Sequence, residues 1–115
     1  MLHNKGSDRT WRDTPYPDID FSWLWRNAAG GGQAMLKLAQ GAKLPLHRHP
    51  GWEQIYLLEG RIRVNQHVLE MGDHLLVQAG DIHAVEALEP SVYLVTSECD
   101  GAELLMPDNL LAQAA

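Results

Sequence analysis

Apolar and polar residues alternate along most of this chain in short runs, each ended by Gly, Pro, Asn or Asp. In residues 21–26, Phe21, Trp23 and Trp25 share one face at a period of two, which predicts a strand. Residues 27–32, with Gly30-Gly31-Gly32, read as a turn, and residues 33–39 as the returning strand of a hairpin. Further strands are predicted at 44–49, 53–58, 61–64, 67–69, 74–78, 83–87 and 91–96. Ile62 and Val64 face inward in theirs. The turns between them carry Pro50-Gly51, Glu59-Gly60, Asn65-Gln66, Met71-Gly72-Asp73 and Ala79-Gly80-Asp81. No pattern of helical period and length occurs before residue 100. Many short strands with closely spaced turns predict an all-β sandwich or barrel of antiparallel strands.

The two ends differ from this middle. Residues 1–20 are polar and carry Pro15 and Pro17, which favour extended backbone, so they are expected to form an N-terminal arm. Trp11 and Tyr16 in the arm suit packing on the body or on a neighbouring subunit. The barrel is placed at 21–100. The tail, 101–115, has room for a short helix after Pro107. A chain of 115 residues makes one domain with a real core. The formal net charge of −6 gives no attraction for nucleic-acid phosphates or anionic membranes. No apolar run approaches the roughly 20 residues that span a bilayer, and the N-terminus lacks the apolar core of a signal peptide. Cys99 stands alone and is read as a small filler near the last strand. Together these features predict a cytoplasmic protein.

The chemistry concentrates in residues 41–60. His47 and His49 are two apart, so on a strand both project from one face. Pro50-Gly51 offers a turn, and Glu53 opens the next apolar run and comes back level with the histidines. Two imidazoles and a carboxylate at one point outline a metal site. The competing reading is buried histidines satisfied by backbone hydrogen bonds. The other histidines, His3, His67 and His74, have no spacing that links them to this stretch and read as surface or edge residues.

Here the chain resembles the cupin family. Gly41, His47, His49, Glu53 and Gly60 meet every spacing of the first cupin motif. Gly72, Gly80 and His83 meet the second, in which Gln78 stands where proline is usual and Ala87 where asparagine is usual. The resemblance implies a single jelly-roll β-barrel with a metal inside, held by His47, His49, Glu53 and His83. Such a set suits one divalent Fe, Mn, Ni, Cu or Zn per subunit and leaves coordination positions open. The motif glycines Gly41, Gly60, Gly72 and Gly80 are expected at chain reversals with positive φ.

For the cavity wall, Met35, Trp25, Trp52 and Gln78 are candidates, with Trp52 a possible lid. Trp23, Trp25 and Trp52 serve equally well as core or dimer contacts. Tyr56 and Gln54 alternate with the inward positions and are expected to face outward or to an interface. The resemblance implies a small metal-dependent dioxygenase or other oxidoreductase acting on a small organic compound, such as a diketone or a phenol. The alternatives are a zinc-binding sensor of the anti-sigma type without catalysis, a metal-dependent isomerase, and a metal-free structural cupin. An isomerase wants a general acid or base, for which Glu98 and Asp81 are the unplaced candidates. A homodimer is expected, with the arm crossing as an added strand to a neighbour's sheet edge.

Overall fold

The computed structural model describes residues 1–105. The helix expected after Pro107 lies outside the described residues. Among the described residues, eleven strands follow a 3₁₀ turn at Gly6–Asp8. In chain order they are β1 (Arg12–Asp13), β2 (Ile19–Arg26), β3 (Gly30–Leu38), β4 (Lys43–Arg48), β5 (Glu53–Glu59) and β6 (Ile62–Val64), and then β7 (His67–Leu69), β8 (His74–Val77), β9 (Ile82–Ala87), β10 (Ser91–Cys99) and β11 (Glu103–Leu104). They form two antiparallel sheets. One has the order β1-β2-β3-β10-β5-β8, the other β11-β4-β9-β6-β7. This is the all-β architecture that the alternation predicts, in the jelly-roll form that the cupin resemblance implies.

The core lies between the sheets, as alternation requires. Ile55 and Leu57 of β5, Tyr93 of β10 and Leu38 of β3 face Ile62 and Val64 of β6 and Val85 and Ala87 of β9. Ala87, at the usual asparagine position of the motif, is thus a core residue, 1% exposed.

Two elements differ from the sequence reading. The glycine run 30–32 is strand, and the turn falls earlier, where the Asn27 side chain accepts from the backbone N–H groups of Ala29 and Gly31. The reason is crowding. A Cβ on Gly31 would meet the carbonyl oxygen of Ser97, and one on Gly32 would meet that of Trp25. Glycine here admits close approach of β3 to both neighbours, and the turn residues are Asn27 and its followers. The second difference is on β2. It begins at Ile19, which is buried, and its register slips between Trp23 and Trp25. Phe21 and Trp23 remain neighbours in an edge-on contact of 6.4 Å, while the bulge separates Trp25 from their row.

The arm does not stand free. Arg12 and Asp13 pair with Phe21 and Asp20 of the chain's own β2. The Lys37 ammonium sits 4.4 Å from the Trp11 ring centroid. Tyr16 packs against the core.

The four motif glycines take positive φ, between +85° and +92°. Gly60 is the most constrained of them, because an added Cβ would run into the Pro90 carbonyl oxygen and the Ser91 hydroxyl. That hydroxyl also accepts from Arg61 N–H at 3.0 Å. Gly60→Val is therefore expected to lose about 2–5 kcal/mol of stability in urea unfolding, from backbone strain plus overpacking. An unchanged midpoint would show that the turn relaxes.

Candidate metal centre

β4 and the residue just past it, together with β5 and β9, bring His47, His49, Glu53 and His83 together. One ligand atom from each lies within 4.8 Å of all the others. Glu53 opens β5 and His83 is the second residue of β9, and both are buried. His47 pairs across the sheet with His83, and their rings are 4.1 Å apart.

A bulge makes this alignment. Leu44 pairs with Val85, but His47 pairs with His83, so β4 spends one more residue than β9 between those rungs. Pro45, which has no N–H to give to the ladder, lies in that irregular stretch. Strict alternation would put Leu44 and His47 on opposite faces. The bulge puts both on the inner face, where both line the same cavity. The Pro45 carbonyl then lies 2.8 Å from His47 Nδ1. A protonated Nδ1 donating to that carbonyl leaves Nε2 as the lone-pair atom facing the cluster.

Glu53 faces two imidazoles. Its Oε1 is 3.0 Å from His83 Nε2 and its Oε2 is 3.1 Å from His49 Nε2. Burial alone would raise the carboxyl pKa, but the close approach of the His49 and His83 imidazoles outweighs it and brings Glu53 down to about 2. The same carboxylate, as an acceptor facing His49, raises that imidazole above its ordinary value against the effect of burial. His47 is lowered, chiefly by burial and against its bond to Pro45. Although His49 Nε2 lies near the carboxylate and is buried, it makes no aligned hydrogen bond. A donor atom so placed is one that a metal would satisfy. Three imidazoles and an ionised carboxylate are a chemically sound set for a divalent transition metal.

Above the cluster lies a cavity of about 420 Å³. Its walls are mostly apolar, from Leu36, Leu44, Val85 and Val95, with Tyr16 and Tyr93. The β11 strand helps close it. Leu104 pairs with His47 and lines the cavity, while Glu103 holds Arg48 by an ion pair of 2.8 Å.

The four wall candidates from the sequence do not line this cavity. Met35 sits on β3 one residue from Leu36, which takes the inward position. Trp25 lies past the β2 bulge and is 43% exposed. Trp52 is also exposed, and its backbone is tied into the β4–β5 turn, with its N–H donating to Glu98 Oε1. Gln78 is exposed, and its N–H donates to Asp81 Oδ2 at 2.9 Å, a bond that the usual proline cannot make. These contacts also place the two candidate bases: Asp81 caps one turn and Glu98 braces another, and neither lines the cavity. His3, His67 and His74 are exposed, as expected, and His74 Nε2 is 2.8 Å from the Gln54 side-chain oxygen. The sequence reading missed Tyr16, Tyr93 and Leu36 as cavity residues. For Tyr93 a signal existed, since it alternates with Ser91 and Val95 on an inward face.

A jelly roll with three histidines and a glutamate gathered beneath an apolar cavity is a cupin. The chain belongs, more narrowly, to the ChrR cupin-like domain family, which it matches over residues 2–100. No curated protein matches the sequence. Among solved structures it is similar to a candidate acetylacetone dioxygenase from Methylibium petroleiphilum PM1, with a TM-score of 0.85 at 16% identity over 100% of this chain and 95% of that one. An acetylacetone dioxygenase from Acinetobacter johnsonii matches with a TM-score of 0.76 at 13% identity, over 92% of this chain and 77% of that one. The Rhodobacter sphaeroides complex of SigE with the anti-sigma ChrR matches with a TM-score of 0.70 at 21% identity, over 82% of this chain and 51% of that one. At these identities the likeness establishes the fold. No helix among the described residues is long and apolar enough to cross a membrane.

Two expectations follow. His49→Ala should abolish stoichiometric metal binding in dialysis against a divalent metal and keep a cooperative unfolding transition, because the core lies elsewhere between the sheets. Metal bound as tightly as in the parent would displace the centre from these residues. In the metal-free protein the depressed pKa of Glu53 favours folding at pH above its ordinary 4.5, and this contribution is lost as pH falls toward 2. The urea midpoint should drop across that interval by less in Glu53→Gln than in the parent.

Proposed function

We propose that this chain is a small metal-dependent dioxygenase acting on a compact organic compound of the diketone or phenol kind. The observation that carries this reading is the apolar cavity of about 420 Å³ opening on the four-residue cluster. Such a space suits a small, largely apolar molecule rather than a sugar or a polymer. A divalent transition metal held by His47, His49, Glu53 and His83 would supply Lewis-acid and redox chemistry there. The chain's own part is to hold Glu53 ionised, present imidazole lone pairs, and keep water from the reacting region with Leu36, Val85 and Val95. Similarity of fold across 100% of this chain and 95% of a candidate acetylacetone dioxygenase supports the same reading.

The second reading, a zinc-binding sensor, is supported by the family match and by the likeness to the anti-sigma ChrR, of which this chain spans 51%. The isomerase reading loses both of its candidate bases to turns, and Glu53 is the single carboxylate lining the cavity among the described residues.

Protein reconstituted with iron, manganese or copper should consume dioxygen in the presence of at least one member of a diketone and phenol panel. His49→Ala under the same conditions should stay at background. No uptake across the panel, together with one tightly held zinc per chain in protein purified without chelator, would favour the sensor instead.

A further inference from the structure

Tyr93 is a core residue with a polar end that the four-residue cluster does not use. It is 2% exposed, and its ring packs in the main apolar cluster. Its backbone lies between Leu36 of β3 and Leu57 of β5. Its hydroxyl has no hydrogen-bond partner among the described residues. Nor is it one of the sealed polar atoms left without a partner, which belong to His49, Arg61 and His83. Its side chain lines the cavity, and among the described residues its oxygen is neither hydrogen-bonded nor sealed, which places the hydroxyl to meet a molecule in the cavity. A hydroxyl kept from bulk water without a partner is unfavourable, so the position calls for something that accepts from it.

The placement is specific. On the inner face of β10, Ser97 is level with Glu53, Val95 with Ile55 and Tyr93 with Leu57. All three β10 residues line the cavity. The cavity therefore runs along β10 from the metal cluster, past one apolar rung, to a phenol. Burial, reinforced by the charge of Glu53, pushes the Tyr93 pKa up, so the group keeps its proton and donates. Among the described residues no lysine or arginine lines the cavity, so away from the histidine cluster its wall has no cation to pair with a phosphate or a carboxylate.

We infer that the Tyr93 hydroxyl is the polar anchor of this cavity, donating a hydrogen bond to one oxygen of a compact, otherwise apolar ligand whose other oxygen faces His47, His49, Glu53 and His83. The ligand class is a small diketone, hydroxyketone or similarly spaced oxygen pair. This rests on the proposed function for where the ligand sits, but not for what becomes of it. Tyr93 is a positioning residue for binding, and its hydroxyl selects for an acceptor at that distance from the cluster.

The test uses zinc-loaded protein, which binds without redox turnover, and acetylacetone as the probe. Calorimetric titration should give a Kd about five- to tenfold weaker for Tyr93→Phe than for the parent, the size expected when one hydrogen bond is lost. Zinc affinity should stay unchanged, and the thermal midpoint should not fall, since the hydroxyl has no partner to lose in the unliganded protein. With isotope-labelled tyrosine in the parent, the probe should also shift the Tyr93 ring resonance, assigned by elimination with Tyr16→Phe and Tyr56→Phe. That shift decides the matter if Tyr93→Phe loses its fold. Equal Kd values, a parent that does not bind the probe, or an unmoved Tyr93 resonance would each overturn the inference. A Tyr93 effect on binding in a protein that consumes no dioxygen would remove the oxygenase reading and leave this one standing.

Discussion

A buried carboxylate needs partners, and the architecture around Glu53 follows from that need. An ionised group taken out of water survives only when paired and hydrogen-bonded. Glu53 finds His49 on one oxygen and His83 on the other, at 3.1 and 3.0 Å. Those histidines come from one sheet, His83 from β9 and His49 from just past the end of its neighbour β4, whereas Glu53 opens β5 of the other sheet. The pairing of this charge therefore bridges the two sheets. A divalent cation with the same four donors would complete the balance, since the imidazoles alone offset the carboxylate only when protonated.

That balance requires β4 and β9 to meet in one particular register. The β4 bulge between Leu44 and His47 provides it, and Pro45 takes part in it twice. Its ring withholds a ladder donor, which favours the irregularity, and its carbonyl oxygen orients the His47 imidazole. One local departure from regular pairing therefore both turns a histidine inward and sets which nitrogen faces the cluster.

The cavity is made from parts that the motif does not contain. Tyr16 comes from the arm, Leu36 from β3, Tyr93 and Val95 from β10, and Leu104 from β11. The arm and β11 lie on strands that pair at the sheet edges, β1 on β2 and β11 on β4. Edges that would otherwise be open are covered by the chain's own ends, and the covering narrows the mouth over the cluster. Beyond the four clustered residues the wall is consequently mostly apolar, with Tyr16, Tyr93 and Ser97 as its polar residues among those described.

Much of this was legible from residue order alone, and the limit has a physical cause. Period-two alternation and turn residues located nine strands, because a half-buried strand must alternate and a reversal must tolerate special backbone angles. The spacing of His47, His49, Glu53 and His83 carried the centre, because ligands on adjacent short strands lie close in sequence and their pattern survives as a motif. Gly30-Gly31-Gly32 misled, since glycine that permits a turn also permits close packing of strands, and only the neighbours Trp25 and Ser97 distinguish the two. The wall misled for a similar reason. Trp25, Trp52, Met35 and Gln78 are near the motifs or large, but a wall is assembled from distant strands, and a one-residue offset exchanges Met35 for Leu36. Sequence by itself determined the strands, the family resemblance and the identity of the four clustered residues. Tertiary structure alone decided which face each bulged strand presents and which residues from the arm, β10 and β11 close over the site, because those depend on pairing across long separations that no local pattern records.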